Sequence, residues 1–347
     1  MQELQKLYND LVHKNTKKVD VLAPLASIRF IAEDNKNYMI IQDGEVLPSE
    51  FNDYNSGNIE GRKIHLTQHA LQQICSKVGI PMSYIMKCDP ELRQHNMNHW
   101  MQKSTDNNLI RCILDNGSSR VRAVLSDKYT PVDDSFVVSS LNNAIENSNL
   151  DAPAVTKIYS GDDMLRLQIT DGKKPVIGDT TLGFFIGNSE SGLSKIYVEM
   201  GLYTYTCTNG LRIPKFAFDY NRKHIGNISY NLIQENFHSQ ISGIMSNYSR
   251  MIAYMGIANQ ITVKRSVFSK YIEDSKNFTI DFKDSMKTRI KSLPGDNVLW
   301  DYISQMTHQA QAYPEFQRME IEKQAGVYMD DIIQKETKRG KYELAIA

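Results

Sequence analysis

The chain has 347 residues, 41% of them hydrophobic and 23% charged, which is the composition of a globular protein with one large or two ordinary domains. Forty basic side chains are matched by 40 acidic ones. This zero net charge excludes a global polycation, so any affinity for nucleic acid must come from local patches. The N-terminus MQELQKLYNDLVHKNTKK lacks the apolar stretch of a signal peptide. No run approaches the roughly 18 apolar residues of a membrane helix. Cys75, Cys88, Cys112 and Cys207 form no CxxC pair. The chain therefore reads as soluble, cytoplasmic and free of disulfides, with its cysteines acting as small buried hydrophobes.

Residues 1–20 predict a short amphipathic helix, with Leu4, Leu7, Tyr8 and Leu11 on one face. SIRFIAED and YMIIQDG, separated by NKN, predict a hairpin. Leu66, Ala70, Leu71, Ile74 and Val78 then recur at helical spacing, with Thr67 as N-cap, Gly79 as stop and Pro81 opening a second short helix. A third helix spans about Glu91 to Met101. LIRCILD and RVRAVLS flank Asn116-Gly117-Ser118-Ser119, a hairpin signal. A helix from Ser135 to Asn147 follows, then strands at AVTKIYS, MLRLQIT, TLGFFIGN and KIYVEMGLYTYT.

From Ser229 to about Gln260 apolar residues step by three or four, predicting one helix about 45 Å long. Further helices are predicted at Val263–Ser275, Val298–Gln311 and Phe316–Lys338, with a basic loop ending at Pro294-Gly295. The expected fold is α+β: an antiparallel or mixed sheet flanked by an N-terminal helical unit and long C-terminal helices. Its expected divisions are 1–107 (hairpin and helical unit), 108–225 (α+β core) and 226–347 (helical region).

Chemistry-bearing motifs are sparse. His65/His69 and His95/His99 are spaced to share helix faces, but neither HLTQH nor HNMNH carries a zincin glutamate. Packing or surface histidines are the better reading, and no metal or cofactor site is assigned. Asp133-Asp134 and Asp162-Asp163 suit capping and turns better than a divalent ion, which would make the chain a metal-dependent nuclease. FFIGNSESG lacks the GK[ST] of a P-loop and reads as a strand-connecting turn, with a backbone phosphate contact left open. No catalytic residue is assigned.

Basic and aromatic positions carry more information. Arg120 and Arg122 are two apart on one strand and share its face, with Arg111 across the hairpin and Lys128 and Tyr129 just beyond. Lys195, Tyr197, Tyr203 and Tyr205 share a face of the last long strand if it is unbroken. Such a surface would stack bases and hold phosphates. The competing reading makes the tyrosines core and the arginines solvated. Between Leu211 and Lys270 there are eight basic residues, including Arg212, Lys215, Arg222 and Lys223, against two acidic ones, which extends the basic surface.

SDKYTPVDD, FFIGNSESG, TCTNGL, LTQHALQQICSKVGIPMSYIMKC and LWDYISQMT, in their order along the chain, resemble the blocks of a phage- and plasmid-borne family known as domain of unknown function 932. The resemblance runs from about Leu66 to Thr307. It implies a mobile-element origin and action in a bacterial host's cytoplasm, and it carries no catalytic residue. In outline the core is also similar to single-strand annealing proteins of the RecT, Red-beta and Erf type.

The expected function is single-stranded DNA binding or annealing in recombination or replication, without nucleotide hydrolysis, by a homo-oligomeric ring or filament. The alternative is a phage interaction protein, a host-defence inhibitor or structural subunit, working on a host or phage protein partner.

Overall fold

Leu4, Leu7 and Leu11 lie buried along α1 (Gln2–Asn15) in the computed structural model. The structure describes residues 1–115, 117–148, 150, 152–177, 180–204, 209–212, 230–243, 251, 253–293 and 295–340. For residues 56, 172–177, 180, 204, 209, 210 and 212 it describes the backbone alone.

After α1 the period switches from helical to alternating. β1 (Lys18–Pro24), β2 (Ile28–Glu33), β3 (Lys36–Ile41), β4 (Glu45–Val46), β5 (Lys63–Leu66), β6 (Asn107–Ile113) and β7 (Arg120–Ser126) form one mixed sheet in the order β2-β3-β5-β7-β6-β1-β4. Only β5 and β7 pair in parallel. The expected β2–β3 hairpin is present, turning at Asp34, whose φ is 48°. The expected division at 107/108 falls within this sheet, where β6 and β7 sit between β5 and β1. β1 is also new, since its alternating residues overlap the end of the predicted first helix.

After the single turn α2 (Ser56–Ile59), α3 (Gln68–Lys77), α4 (Met82–Ile85) and α5 (Pro90–Met101) cover one face of the sheet. The Thr67 side chain accepts from Ala70 N at 3.1 Å, so it caps α3 as expected, and Gly79 follows the helix at φ 73°. Phe30, Met39, Ile64, Val121 and Cys112 point into this core. Cys75 and Cys112 are buried, and burial pushes their thiols up to about 11 and about 12, so both stay protonated. Cys88 is half-buried and Cys207 lies outside the described residues.

A second, antiparallel sheet is built from β8 (Pro153–Ser160), β9 (Leu165–Ile177), β10 (Thr180–Asn188), β11 (Tyr197–Thr204) and β12 (Asn209–Arg212), in the order β12-β11-β10-β9-β8. Leu167, Phe184, Met200 and their neighbours join α1, α6 (Asp134–Glu146), α7 (Tyr230–Ser242) and the C-terminal helices in a large shared core. Within that C-terminal region, Arg265–Asp274, Leu299–Ala310 and Glu315–Lys338 are helical close to expectation. Ile280–Ser292 is a helix where a basic loop was predicted, its buried face set by Phe282, Met286 and Ile290.

The single long helix from Ser229 is corrected. α7 stops at Ser242, Gly243 is in a turn, and helical backbone is present again at Met251 and at 253–258. The intervening stretch lies mostly outside the described residues, as does Ser229 itself. The fold class is α+β. Among the described residues no helix is long and apolar enough to cross a membrane.

Candidate nucleic-acid interface

The expected surface does not assemble as predicted. Arg120 and Arg122 belong to β7 of the first sheet, whereas Tyr197 and Tyr203 belong to β11 of the second. Tyr197 packs over Gly187, which pairs with it across the strands; a Cβ there would fall 2.2 Å from the ring. Lys323 of the C-terminal helix reaches over the same ring at 5.9 Å. Tyr203 is buried. This face of the second sheet is therefore a packing face beneath the helix Glu315–Lys338, anchored by buried Lys157 on Glu322 at 2.5 Å. Tyr205, Lys215, Arg222 and Lys223 lie outside the described residues, and so does the Arg212 side chain.

Arg111 and Arg122 are also corrected, because both are buried and both are spent on carboxylates. Arg122 is the extra residue of a β-bulge: Cys112 pairs with Val121 and Arg111 with Ala123, so Arg122 has no cross-strand partner. The bulge keeps Arg122 on the side of Arg111. There the loop between β10 and β11 inserts Glu190, whose carboxylate lies 2.6 Å from Arg122, 2.6 Å from Lys18 and 3.9 Å from Arg111. Asp20 takes Arg111 Nε at 2.9 Å, and Asp133 lies 3.1 Å from Lys18.

Burial alone would push Glu190 up, but Lys18, Arg122 and Arg111 more than offset it and hold the carboxyl well below its usual range. The same group caps α6 from outside the chain segment, accepting from Asp134 N at 2.8 Å. Asp134, expected to cap a helix beginning at Ser135, is instead the first residue of α6, and Asp133 at the N-cap position makes no side-chain capping bond. Buried Asp134 is raised by burial and then by Glu190.

The FFIGNSESG loop is thus a clasp between the two sheets, with no room for a phosphate. Asn188, Ser189, Glu190 and Ser191 are all at most 1% exposed. The loop's backbone carbonyls face donors from the first sheet and its helix. Tyr129 Oη donates to Ser189 O at 2.7 Å, Arg111 to Glu190 O at 2.9 Å and Gln73 to Ser191 O at 3.0 Å. His69 Nε2 contacts Ser191 O at 3.0 Å. Gly192 follows at φ 84°, and a Cβ there would meet Leu125 at 2.7 Å, so only glycine lets the loop lie this close to β7. Tyr129 is therefore part of the clasp. Lys128 is exposed past the C-terminal end of β7, and Lys195 is half-buried before β11.

Arg120 escapes this fate only in part. It pairs with Asp162 in the β8–β9 turn, which also holds Lys14 at 3.0 Å. Burial would raise Asp162, but the Arg120 hydrogen bond and Lys14 bring it down to about 2. Because the folded value lies below the ordinary 3.8, the unfolded chain takes up this proton first as pH falls. Stability from this pair is complete above about pH 4 and lost towards pH 2. Urea unfolding across that window should therefore show a shallower loss in Asp162→Asn than in the wild type; equal slopes would contradict the pairing.

Arg120 leads to a surface outside the predicted set. Among the described residues, the first sheet is covered on its outer side only where β1, β6 and β7 meet the clasp, and over β2, β3 and β5 that side is open. Ile31, Tyr38, His65 and Arg120 are consecutive cross-strand partners and form one row on it. Tyr38 and His65 meet edge-to-face at 5.7 Å and 77°. Lys63 lies over the Tyr38 ring at 4.2 Å and pairs with Glu33. Lys36, Arg62 and the Gly117-Ser118-Ser119 turn complete the rim of a hollow of about 570 Å³. Its described lining holds four Lys or Arg side chains and no carboxylate. Burial and Lys36 lower His65, so it is mostly neutral at pH 7 and presents an aromatic ring.

The sequence signal for this site lay in KIHL, where Lys63 and His65 alternate with buried Ile64 and Leu66. Reading His65 with His69 as a helical pair hid it: His65 is on β5 and His69 on α3. His95 and His99 do share α5 and stack at 6.4 Å.

No protein-family model, curated protein or solved structure matches the chain. The resemblance to the phage and plasmid family rests on the sequence blocks alone, and the function has to be argued from the site.

Proposed function

We propose that the protein binds single-stranded nucleic acid on the open half of the first sheet, as a DNA-binding or annealing protein of a mobile element in a bacterial cytoplasm. The observation that carries this reading is the Tyr38–His65–Arg120 row, rimmed by Lys36, Arg62 and Lys63. A tyrosine and a neutral histidine on a sheet give bases a flat partner, and the cations around them suit the backbone. Binding by stacking and charge uses no catalytic group and no nucleotide hydrolysis. Assembly into a homo-oligomeric ring or filament belongs to the same proposal, and light scattering with oligonucleotides of increasing length measures it.

Fluorescence anisotropy with a labelled single-stranded oligonucleotide over a salt series tests the reading. Wild type should bind more tightly than about 100 μM at low salt, where the electrostatic contribution is strongest. Tyr38→Ala should weaken binding by about tenfold, the loss of one stacked base. Lys36→Ala with Lys63→Ala should flatten the log–log salt slope by about 1.4 units, one phosphate contact each. Unchanged affinity and slope in these variants would remove the hollow from the binding surface.

A second reading, docking of a protein partner, is favoured by Tyr84, Met86, Leu92 and Trp100, large apolar side chains 45–49% exposed around α4 and α5. A stoichiometric partner recovered after nuclease treatment, and lost in Leu92→Asp/Trp100→Asp, is the result expected of that reading.

A further inference from the structure

The opposite electrostatic character appears in a second hollow, of about 540 Å³, where α1, the start of α6, the start of α7 and the chain around residue 50 converge. Its walls are aromatic: Tyr8 from α1, Phe51, Phe136 from α6 and Tyr230 from α7. Phe136 and Tyr230 stand nearly perpendicular, with centroids 4.5 Å apart and planes at 79°, which gives the hollow two adjoining ring walls. Glu50 and Asp133 are the charged groups in its described lining, which includes no lysine or arginine.

The volume lies within the range of small-molecule sites, about 300–1,000 Å³. The faces of aromatic rings carry negative potential and attract cations, most strongly where water is partly excluded. Glu50 at the rim adds to that potential, and Asp133 offers its Oδ2, with its charge partly offset by Lys18 and Arg111. The Tyr230 hydroxyl is raised first by burial and then by Asp133 and Glu50, with Arg111 opposing. At the start of α6 the Asp134 N–H is taken by Glu190 and is not offered to the hollow. Asp133 is held in place from below, its ion pairs to Lys18 and Arg111 both running through Oδ1.

We propose that this hollow is a binding site for an organic cation, an alkylammonium head group seated against Phe136 and Tyr230 and paired with Glu50 and Asp133. Two sources present that chemistry, a free amine and a lysine-type side chain of a peptide.

Isothermal titration calorimetry of the full chain with choline tests the site, with 3,3-dimethylbutan-1-ol as the uncharged control of the same shape. Choline should bind with a Kd of about 1 mM or tighter, at least tenfold better than the alcohol. Glu50→Gln changes an exposed side chain and leaves the fold intact. It should weaken choline binding several-fold, and Tyr230→Ala should do so by about 2- to 30-fold, the range of one cation–π contact. Spermidine binding more tightly than a trimethyllysine peptide would assign the site to free amines, and the reverse order to a peptide side chain. Choline binding no better than the alcohol, or equally well in both variants, would overturn the proposal. The outcome is independent of oligonucleotide binding, which is read at a different hollow.

Discussion

Replacing Glu190 by alanine should lower the stability of the protein by about 3–5 kcal/mol, the cost of breaking a buried ion pair by removing one partner. The carboxylate is 1% exposed and lies against Lys18, Arg122 and Arg111, each at most 7% exposed. Among the described residues, removing it leaves three buried cations with Asp20 and Asp133 as their ion-pair partners, and it deprives the α6 N-terminus of its cap. Glu190→Gln keeps the shape and the cap acceptor but loses the charge, so it should fall between wild type and alanine. Equilibrium urea unfolding reads both. A Glu190→Ala midpoint equal to wild type would mean that the FFIGNSESG loop does not hold the two sheets together.

Gly201→Ala should be comparably severe, at about 3 kcal/mol or more, for a steric reason. Gly201 sits on β11 opposite β12, and an added Cβ would fall 2.1 Å from the Leu211 carbonyl oxygen and 2.6 Å from the Phe185 ring. The nearer clash is with backbone, so relief requires β12 to move away from β11, at the top of the usual overpacking range or beyond it. The same denaturation experiment checks it. A loss under about 1 kcal/mol would show that the β11–β12 edge yields easily, as overpacking normally costs more.

Both predictions concern places where a sequence signal had a second use. Local pattern placed most elements: the β2–β3 and β6–β7 hairpins, α3 with its Thr67 cap and Gly79 stop, α6, and the strands β8, β10 and β11 lie within a few residues of expectation, while β9 runs on through the expected Asp171-Gly172 turn to Ile177. Period does not reveal which sheet a strand joins, and β6 and β7 went with the N-terminal strands rather than with β8 to β11. It also does not reveal what faces a charged residue. Arg111 and Arg122 share one side of a sheet, as their spacing implies, but Glu190, about 70 residues further along, is what that side meets.

Buried charge of this kind is invisible locally because its partner arrives by tertiary contact. The tyrosines of β11 were legible as one face, yet the covering helix Glu315–Lys338 comes from the far end of the chain. Conversely, the Tyr38–His65–Arg120 row joins three segments whose register only sheet pairing establishes.

The most direct test of the account is to map where a single strand lies. Ultraviolet cross-linking of the full chain to a bromodeoxyuridine-substituted oligonucleotide, followed by peptide mass spectrometry, locates the contact residues. Adducts are expected on Tyr38 and His65, with none on Tyr197 or Tyr203 beneath the C-terminal helix. Adducts concentrated on Tyr197 and Tyr203, with Tyr38 and His65 unmodified, would contradict it.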